Sequence, residues 1–189
     1  MIRLKKIAIY GGTFDPIHNG HLILAREARE RLQLDSIIFV PAAVSPFKEK
    51  SSASAEVRLE MLNAAIANEP GFATDRLEVD RPPPSYTIDT VESIRARDSG
   101  VELYYLIGQD NVADLTKWHR FNDLEKLVRF VVLDRTGRQT DHPYPIVHRK
   151  VDISATEIRN RVASHRSIRY LVPDAVEEII RRRGLYQEN

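Results

Sequence analysis

Apolar positions in this chain switch repeatedly between short strand-like runs and helical spacing. Ile7-Ala8-Ile9-Tyr10, Ile37-Ile38-Phe39-Val40, Val101 to Ile107 and Phe130 to Leu133 are short, mostly apolar runs with the length of buried strands. Between the first two, Gly20 to about Gln33 places Leu24, Ala28 and Leu32 on one face and Arg26, Glu27, Arg29, Glu30 and Arg31 on the other, which predicts an amphipathic helix. Ser54 fits the N-cap of a helix from Ala55 to about Asn68, with Val57, Met61, Ala64 and Ala65 as its inner face, and Pro70-Gly71 ends it. Phe72 to Val79 alternates weakly and reads as a third strand. The prolines in Arg81 to Tyr86 exclude regular structure, and Thr87 is placed to cap a helix from Ile88 to about Arg97. Short helices are expected at Val112 to Leu115 and Phe121 to Val128, with an extended piece from Ile146 to Val151. Two helices close the chain, Ala155 to Ala163 and Pro173 to Arg183, the second with Pro173 at its first helical position and Gly184 just beyond its end.

Strands separated by helices imply parallel pairing through right-handed crossovers. The expected fold class is α/β: a Rossmann-like open parallel sheet of five or more strands, helices on both faces and a C-terminal helical segment. Such a sheet binds ligands beyond the carboxyl ends of its strands, near the point where strand order reverses. The segments that follow the first, second, fourth and fifth strands are polar, glycine-rich or basic: Gly11 to His21, Ser45 to Lys48, Gly108 to Asn111, and Arg135.

Length and composition leave this picture intact and exclude some chemistry. The 189 residues, 42% apolar and 29% charged, predict one globular domain over 1–189 with its helical portion at about 152–186. Net charge is +1, so no global field points to nucleic acid or a membrane surface. Without cysteine there is no disulfide, thiolate nucleophile or thiolate-bound metal. No apolar run is long enough to span a bilayer, and Met1 to Lys6 leads directly into a strand without a signal-peptide pattern, so a cytoplasmic protein is expected. Periodicity does not separate an interface from core, and a homo-oligomer is compatible with the pattern.

The chemistry concentrates at Gly11-Gly12-Thr13-Phe14-Asp15-Pro16-Ile17-His18-Asn19-Gly20-His21. A strand, a glycine turn and a helix start offer unpaired N–H groups and the positive end of a dipole, which suit the phosphates of a nucleoside triphosphate. His18 and His21 would flank that anion on one face of the first turn. Two surface histidines near a helix start are the plainer alternative, and a metal pair would lack a third ligand nearby. Gly11 and Gly12 would bring backbone close to phosphate, serve a turn with positive φ, or both.

These residues resemble the signature of the nucleotidyltransferase superfamily, with its H-x-G-H core at His18 to His21, and Ile153 to Arg159 resembles its second signature. Pro84 to Thr90, Ile107 to Asp110, Lys117 to Arg120 and Ser167 to Pro173 narrow the resemblance to the bacterial nicotinate-nucleotide adenylyltransferase family, over nearly the whole chain. Gln109 departs from that family's usual pattern, while Asp110 keeps it.

The resemblance implies an enzyme joining ATP and nicotinate mononucleotide into the deamido form of NAD, with pyrophosphate released and Mg²⁺ carried mainly on the ATP phosphates. It implies catalytic roles for His18, His21 and Arg159. ATP and its phosphates would meet Gly11, Gly12, Thr13, Phe14, Lys48, Gly108, Asp110, Ser154 and Thr156. The nicotinate nucleotide would meet Ser85, Tyr86, Thr87, Trp118 and His119, with Trp118 stacked on the pyridine ring. Structural alternatives stand beside several of these: a capping box for Ser154 and Glu157, an N-cap for Asp110, core packing for Trp118, and a solvated side chain for Lys48. Rival functions are a nucleotidyltransferase of the same fold acting on nicotinamide mononucleotide, phosphopantetheine or with CTP, and a non-catalytic nucleotide sensor.

Overall fold

The apolar runs line up side by side in one sheet. The computed structural model describes residues 3–43, 53–137 and 141–187. Its strands are β1 (Lys6–Gly12), β2 (Ser36–Pro41), β3 (Phe72–Thr74), β4 (Glu102–Gly108), β5 (Arg129–Asp134) and β6 (Ile146–His148). All pair in parallel, in the order β3-β2-β1-β4-β5-β6. The order reverses between β1 and β4, where Tyr10 lies beside Phe39 on one flank and Leu106 on the other. The crevice at that reversal opens beyond Gly12 and Gly108.

Helices cover both faces, as the alternation of strand side chains requires. Ala8, Tyr10, Phe39, Leu106 and Val131 pack against α1 (Asn19–Leu32), α2 (Ala55–Ile66), α6 (Ala155–Ala163) and α7 (Asp174–Arg182). Ile7, Ile9, Val40, Tyr105 and Val132 face α4 (Thr87–Arg97), the 3₁₀ helix Gln109–Lys117 and α5 (Phe121–Leu127).

Several local expectations need correction. The third strand stops at Thr74, and Leu77–Asp80 forms a short helix, α3, because Asp75 accepts from the Leu77 N–H and turns the chain. Thr87 is the first residue of α4 and not its cap: Tyr86 holds the N-cap position without a side-chain bond. The helix expected at Val112 to Leu115 is a longer 3₁₀ helix that starts directly at the end of β4. Pro173 is the N-cap of α7, not its first helical residue, and Gly184 ends that helix with φ of 59°.

The largest surprise lies inside α2. Its inner face holds Met61 as expected, but Val57, Ala64 and Ala65 are only partly buried, and Arg58 is buried to 1% exposure. The Arg58 guanidinium donates to three carbonyls: Nε to Ala53 at 3.2 Å, Nη1 to Thr13 at 2.6 Å and Nη2 to Ala43 at 3.1 Å. A planar fork of donors is suited to three fixed acceptors, and it stays charged although burial lowers its pKa, with the Asp15 carboxylate opposing that shift. Arg58 thereby joins the segments after β1 and β2 to the start of α2. Arg58→Leu should leave three inward carbonyls short of a donor and destabilise the fold by about 3 kcal/mol or more, read from urea midpoints.

Candidate active site

Two cavities open at the switch point. The first, about 540 Å³, is lined by Gly11, Gly12, Thr13, Phe14, His18, His21, Gly108, Asp110, Ser154, Thr156 and Arg159, together with Gln109 and Arg135. The second, about 400 Å³, is lined by Ser85, Tyr86, Thr87, Trp118 and His119, with Lys117, Glu78 and Tyr105. They share Gly11, Gly12, Thr13, Gly108 and Asn111 as a common wall. Every residue that the sequence assigns to the site therefore reaches one of these cavities, except Lys48, which lies outside the described residues with the rest of 44–52.

The histidine pair is organised by the start of α1. His18 is the N-cap, and its Nδ1 accepts from the His21 N–H at 3.3 Å; His21 Nδ1 accepts from the His18 N–H at 3.3 Å. This is a capping box built from two imidazoles. An amide can only donate, so both Nδ1 atoms are unprotonated and each neutral ring carries its proton on Nε2. The rings stack with centroids 3.6 Å apart. His18 is 4% exposed, and burial, reinforced by the Arg135 guanidinium, pulls its pKa from 6.5 down to about 3, against a smaller upward pull from its own backbone bond. The caps also revise the expectation of unpaired amides. His21 N–H is engaged by His18, and Asn19 N–H donates to Leu171 O at 2.9 Å.

The glycines have a cause other than positive φ, since neither Gly11 nor Gly12 is in the left-handed region. A Cβ at Gly11 would stand 2.2 Å from the Tyr105 hydroxyl, and one at Gly12 would stand 2.8 Å from the Phe14 ring. Phe14 itself is buried, edge-on to Tyr10 and His21, with φ of 50°. Its ring is core, while its position lines the first cavity.

Opposite α1, Ser154 caps α6 by accepting from the Glu157 N–H at 3.1 Å. Only this half of the S-x-x-E box forms, and Glu157 faces Arg161 instead. Arg159 folds back as the sequence suggests: Nη2 donates to Thr156 Oγ1 at 3.3 Å and Nη1 to the Asp15 carbonyl at 2.7 Å. Asp110 is not a cap, since Gly108 takes that position; its carboxylate accepts from Arg135 Nη2 at 3.1 Å, and Arg135 Nη1 donates to Ile153 O at 3.2 Å.

In the second cavity Trp118 ends the 3₁₀ helix, half-buried and edge-on to Tyr105 and Phe130 at 5.8 and 6.5 Å. Its apolar partners come from β4 and β5, which the polar run around it in sequence conceals. Tyr86 and His119 lie ring to ring at 4.3 Å. Among the described residues, Ser85 Oγ is buried without a hydrogen-bond partner, a state that costs free energy. Thr90 donates to the buried Glu78 carboxyl at 2.8 Å, which burial pushes above its ordinary range.

Arg135, Tyr105 and Glu78 are among the contributors to these cavities that sequence reasoning misses. Arg135 is visible in the sequence only as a basic residue after a strand. Tyr105 is hidden within an apolar run, and Glu78 falls in the expected third strand, which ends at Thr74.

Comparison with known proteins adds ancestry to this geometry. The cytidylyltransferase-like family matches residues 9–161. A probable nicotinate-nucleotide adenylyltransferase of Herpetosiphon aurantiacus is 39% identical over 196 residues, covering 97% of this chain and 99% of its own. The nicotinate-nucleotide adenylyltransferase of Bacillus subtilis is 38% identical over 188 residues, covering 97% and 100%. Among solved structures, Plasmodium falciparum nicotinic acid mononucleotide adenylyltransferase complexed with NaAD superposes with a TM-score of 0.82 at 20% identity, over 96% and 97% of the two chains. At that identity the likeness concerns the fold.

The state of His18 has a measurable consequence. Folded, it stays neutral to about pH 3; unfolded, it takes up a proton near 6.5. Its contribution is fully present above pH 6.5 and is lost as pH falls toward 3, because the unfolded chain binds the extra proton in that window. Urea unfolding between pH 7 and 4 should show this decline, and His18→Asn, which keeps a capping acceptor, should flatten it.

Proposed function

The chain belongs to the cytidylyltransferase-like family and, within it, to the nicotinate-nucleotide adenylyltransferases, and we propose that it transfers the adenylyl group of ATP to nicotinate mononucleotide. The products are nicotinate adenine dinucleotide and pyrophosphate, a step of NAD biosynthesis. The observation that carries this reading is the shared wall. A cavity rich in histidine, arginine and hydroxyl groups meets an aromatic cavity with an orphaned hydroxyl at the carboxyl ends of β1 and β4.

The chemistry asks little covalent work of the protein. An oxygen of the acceptor's phosphate attacks the α-phosphorus of ATP; the bond from that phosphorus to the pyrophosphate oxygen breaks, and pyrophosphate carries away the electron pair. Phosphate is already nucleophilic at neutral pH, so positioning and charge stabilisation suffice. In this reading the neutral Nε2–H groups of His18 and His21 donate to the phosphates near the transferring phosphorus. Ser154, Thr156 and Arg159, at the start of α6, hold the outer phosphates, and Gly11 to Phe14 line the approach. Asp110 accepts from a ribose hydroxyl, exchanging part of its bond to Arg135, beside Gly108.

The acceptor's pyridine ring stacks on Trp118, next to His119. Its carboxylate takes the Ser85 hydroxyl and donors at Tyr86 and Thr87, where α4 begins. Magnesium would be carried on the triphosphate. The ion would be held by phosphate and water and would offset phosphate charge. Lys48 would add a further cation from the segment after β2. No described helix is long and apolar enough to cross a membrane, consistent with a proposed cytoplasmic setting.

Pyrophosphate release measured with ATP and, in turn, nicotinate mononucleotide, nicotinamide mononucleotide and phosphopantetheine should give the highest kcat/KM with the first. Turnover confined to another acceptor would overturn the assignment. His18→Asn should lower kcat by about 10² or more while the protein stays folded; near-normal turnover would remove the proposed role of the pair.

A further inference from the structure

Tyr186, near the end of the chain, touches neither cavity, yet its hydroxyl reaches into the turn between β1 and α1. It donates to Asp15 Oδ1 at 2.7 Å, across 171 positions of sequence. The same carboxylate oxygen accepts from the Ala53 N–H at 3.2 Å. Asp15 is 5% exposed, and its own carbonyl is the acceptor that receives Arg159 Nη1 at 2.7 Å. Three links therefore run in series: the Tyr186 hydroxyl to the Asp15 side chain, the Asp15 backbone to Arg159, and Arg159 into the first cavity.

We propose that Tyr186 is a positioning residue for the triphosphate, acting through Asp15 to set where the Arg159 guanidinium stands. The inference rests on the reading of the first cavity as the ATP site. A phenol has one hydrogen to donate, and here it is committed to Asp15. Burial and the facing carboxylate push this hydroxyl far above its ordinary pKa, outweighing the opposing pull of Arg159 and Arg58, so it remains a donor throughout the working range. The ring packs against the core shared by α1, α2 and α7, which fixes the hydroxyl from behind. Arg58 anchors the neighbouring Thr13 carbonyl, so the turn is held on both sides of Phe14. Arg159 has a long, flexible stem, and the two acceptors seen for it are the Asp15 carbonyl and Thr156 Oγ1. An error in Asp15 would therefore be passed to the guanidinium.

A cycle of four proteins tests this: the native chain, Tyr186→Phe, Arg159→Ala and the double variant. ATP affinity is read by calorimetry in the presence of Mg²⁺, and kcat and KM for nicotinate mononucleotide are read in parallel. Tyr186→Phe keeps the ring and should weaken ATP binding about fivefold, less than the tenfold or greater loss expected of Arg159→Ala. KM for the acceptor should stay within about twofold, because the link does not reach the second cavity. In the Arg159→Ala background, Tyr186→Phe should have no further effect on ATP affinity. Equal losses in both backgrounds, or no loss in either, would overturn the proposal. A native chain that binds ATP but does not use nicotinate mononucleotide would sink the acceptor assignment alone, and the binding cycle would still judge Tyr186. Failure of the native chain to bind ATP would overturn both.

Discussion

Two backbone amides determine the chemical state of the histidine pair. Because the N–H groups of residues 18 and 21 each donate to the other residue's Nδ1, tautomer, ring orientation and start of helix are settled together. Stacked rings 3.6 Å apart would repel strongly if both were charged, and burial beside Arg135 favours the neutral form of His18. The site is thus made of neutral donors at the position of the histidines and permanent cations, Arg135 and Arg159, around them. A phosphate there would meet charge supplied by arginine and direction supplied by imidazole.

The histidines hold this arrangement only if the turn before them is fixed. That turn has little secondary structure of its own, and its restraints come from far along the chain. Arg58 takes the Thr13 carbonyl, Tyr186 and Ala53 take the Asp15 carboxylate, and Leu171 takes the Asn19 amide. The segments that hold the turn belong to α2, the last turns after α7, and the loop before α7. Elements distant from the cavities in sequence therefore contribute to their shape, and the C-terminal helices serve the site as well as the core.

The layered α/β architecture was legible because strand and helix periods differ and because α2, α6 and α7 carry end signals at Ser54, Ser154 and Gly184. The site residues were legible mainly through resemblance, with the position after each strand as physical support. Other features leave no local trace. Arg58 sits at a helical position that periodicity assigns by polarity to the outside; only the three carbonyls brought to it by tertiary structure make its burial tolerable. Thr87 looked like a cap because threonine commonly is one, but the chain enters α4 one residue earlier. Trp118 stood in a polar run because its packing partners are on neighbouring strands. Gly11 and Gly12 suggested a turn needing positive φ, whereas they leave room for two aromatic side chains.

That room has a consequence for how substrate range can change. The Tyr105 hydroxyl occupies the place where a side chain at position 11 would be, so the partition between the two cavities is the backbone at the ends of β1 and β4, closed by Asn111, with an aromatic ring pressed against it. A wall so thin cannot be moved from one side alone: a larger residue facing either compartment is felt in the other. On the proposed assignment of the second cavity to the acceptor, room for a bulkier or smaller one is made at the outer rim, through Tyr86, Trp118 and His119, while the partition stays as it is.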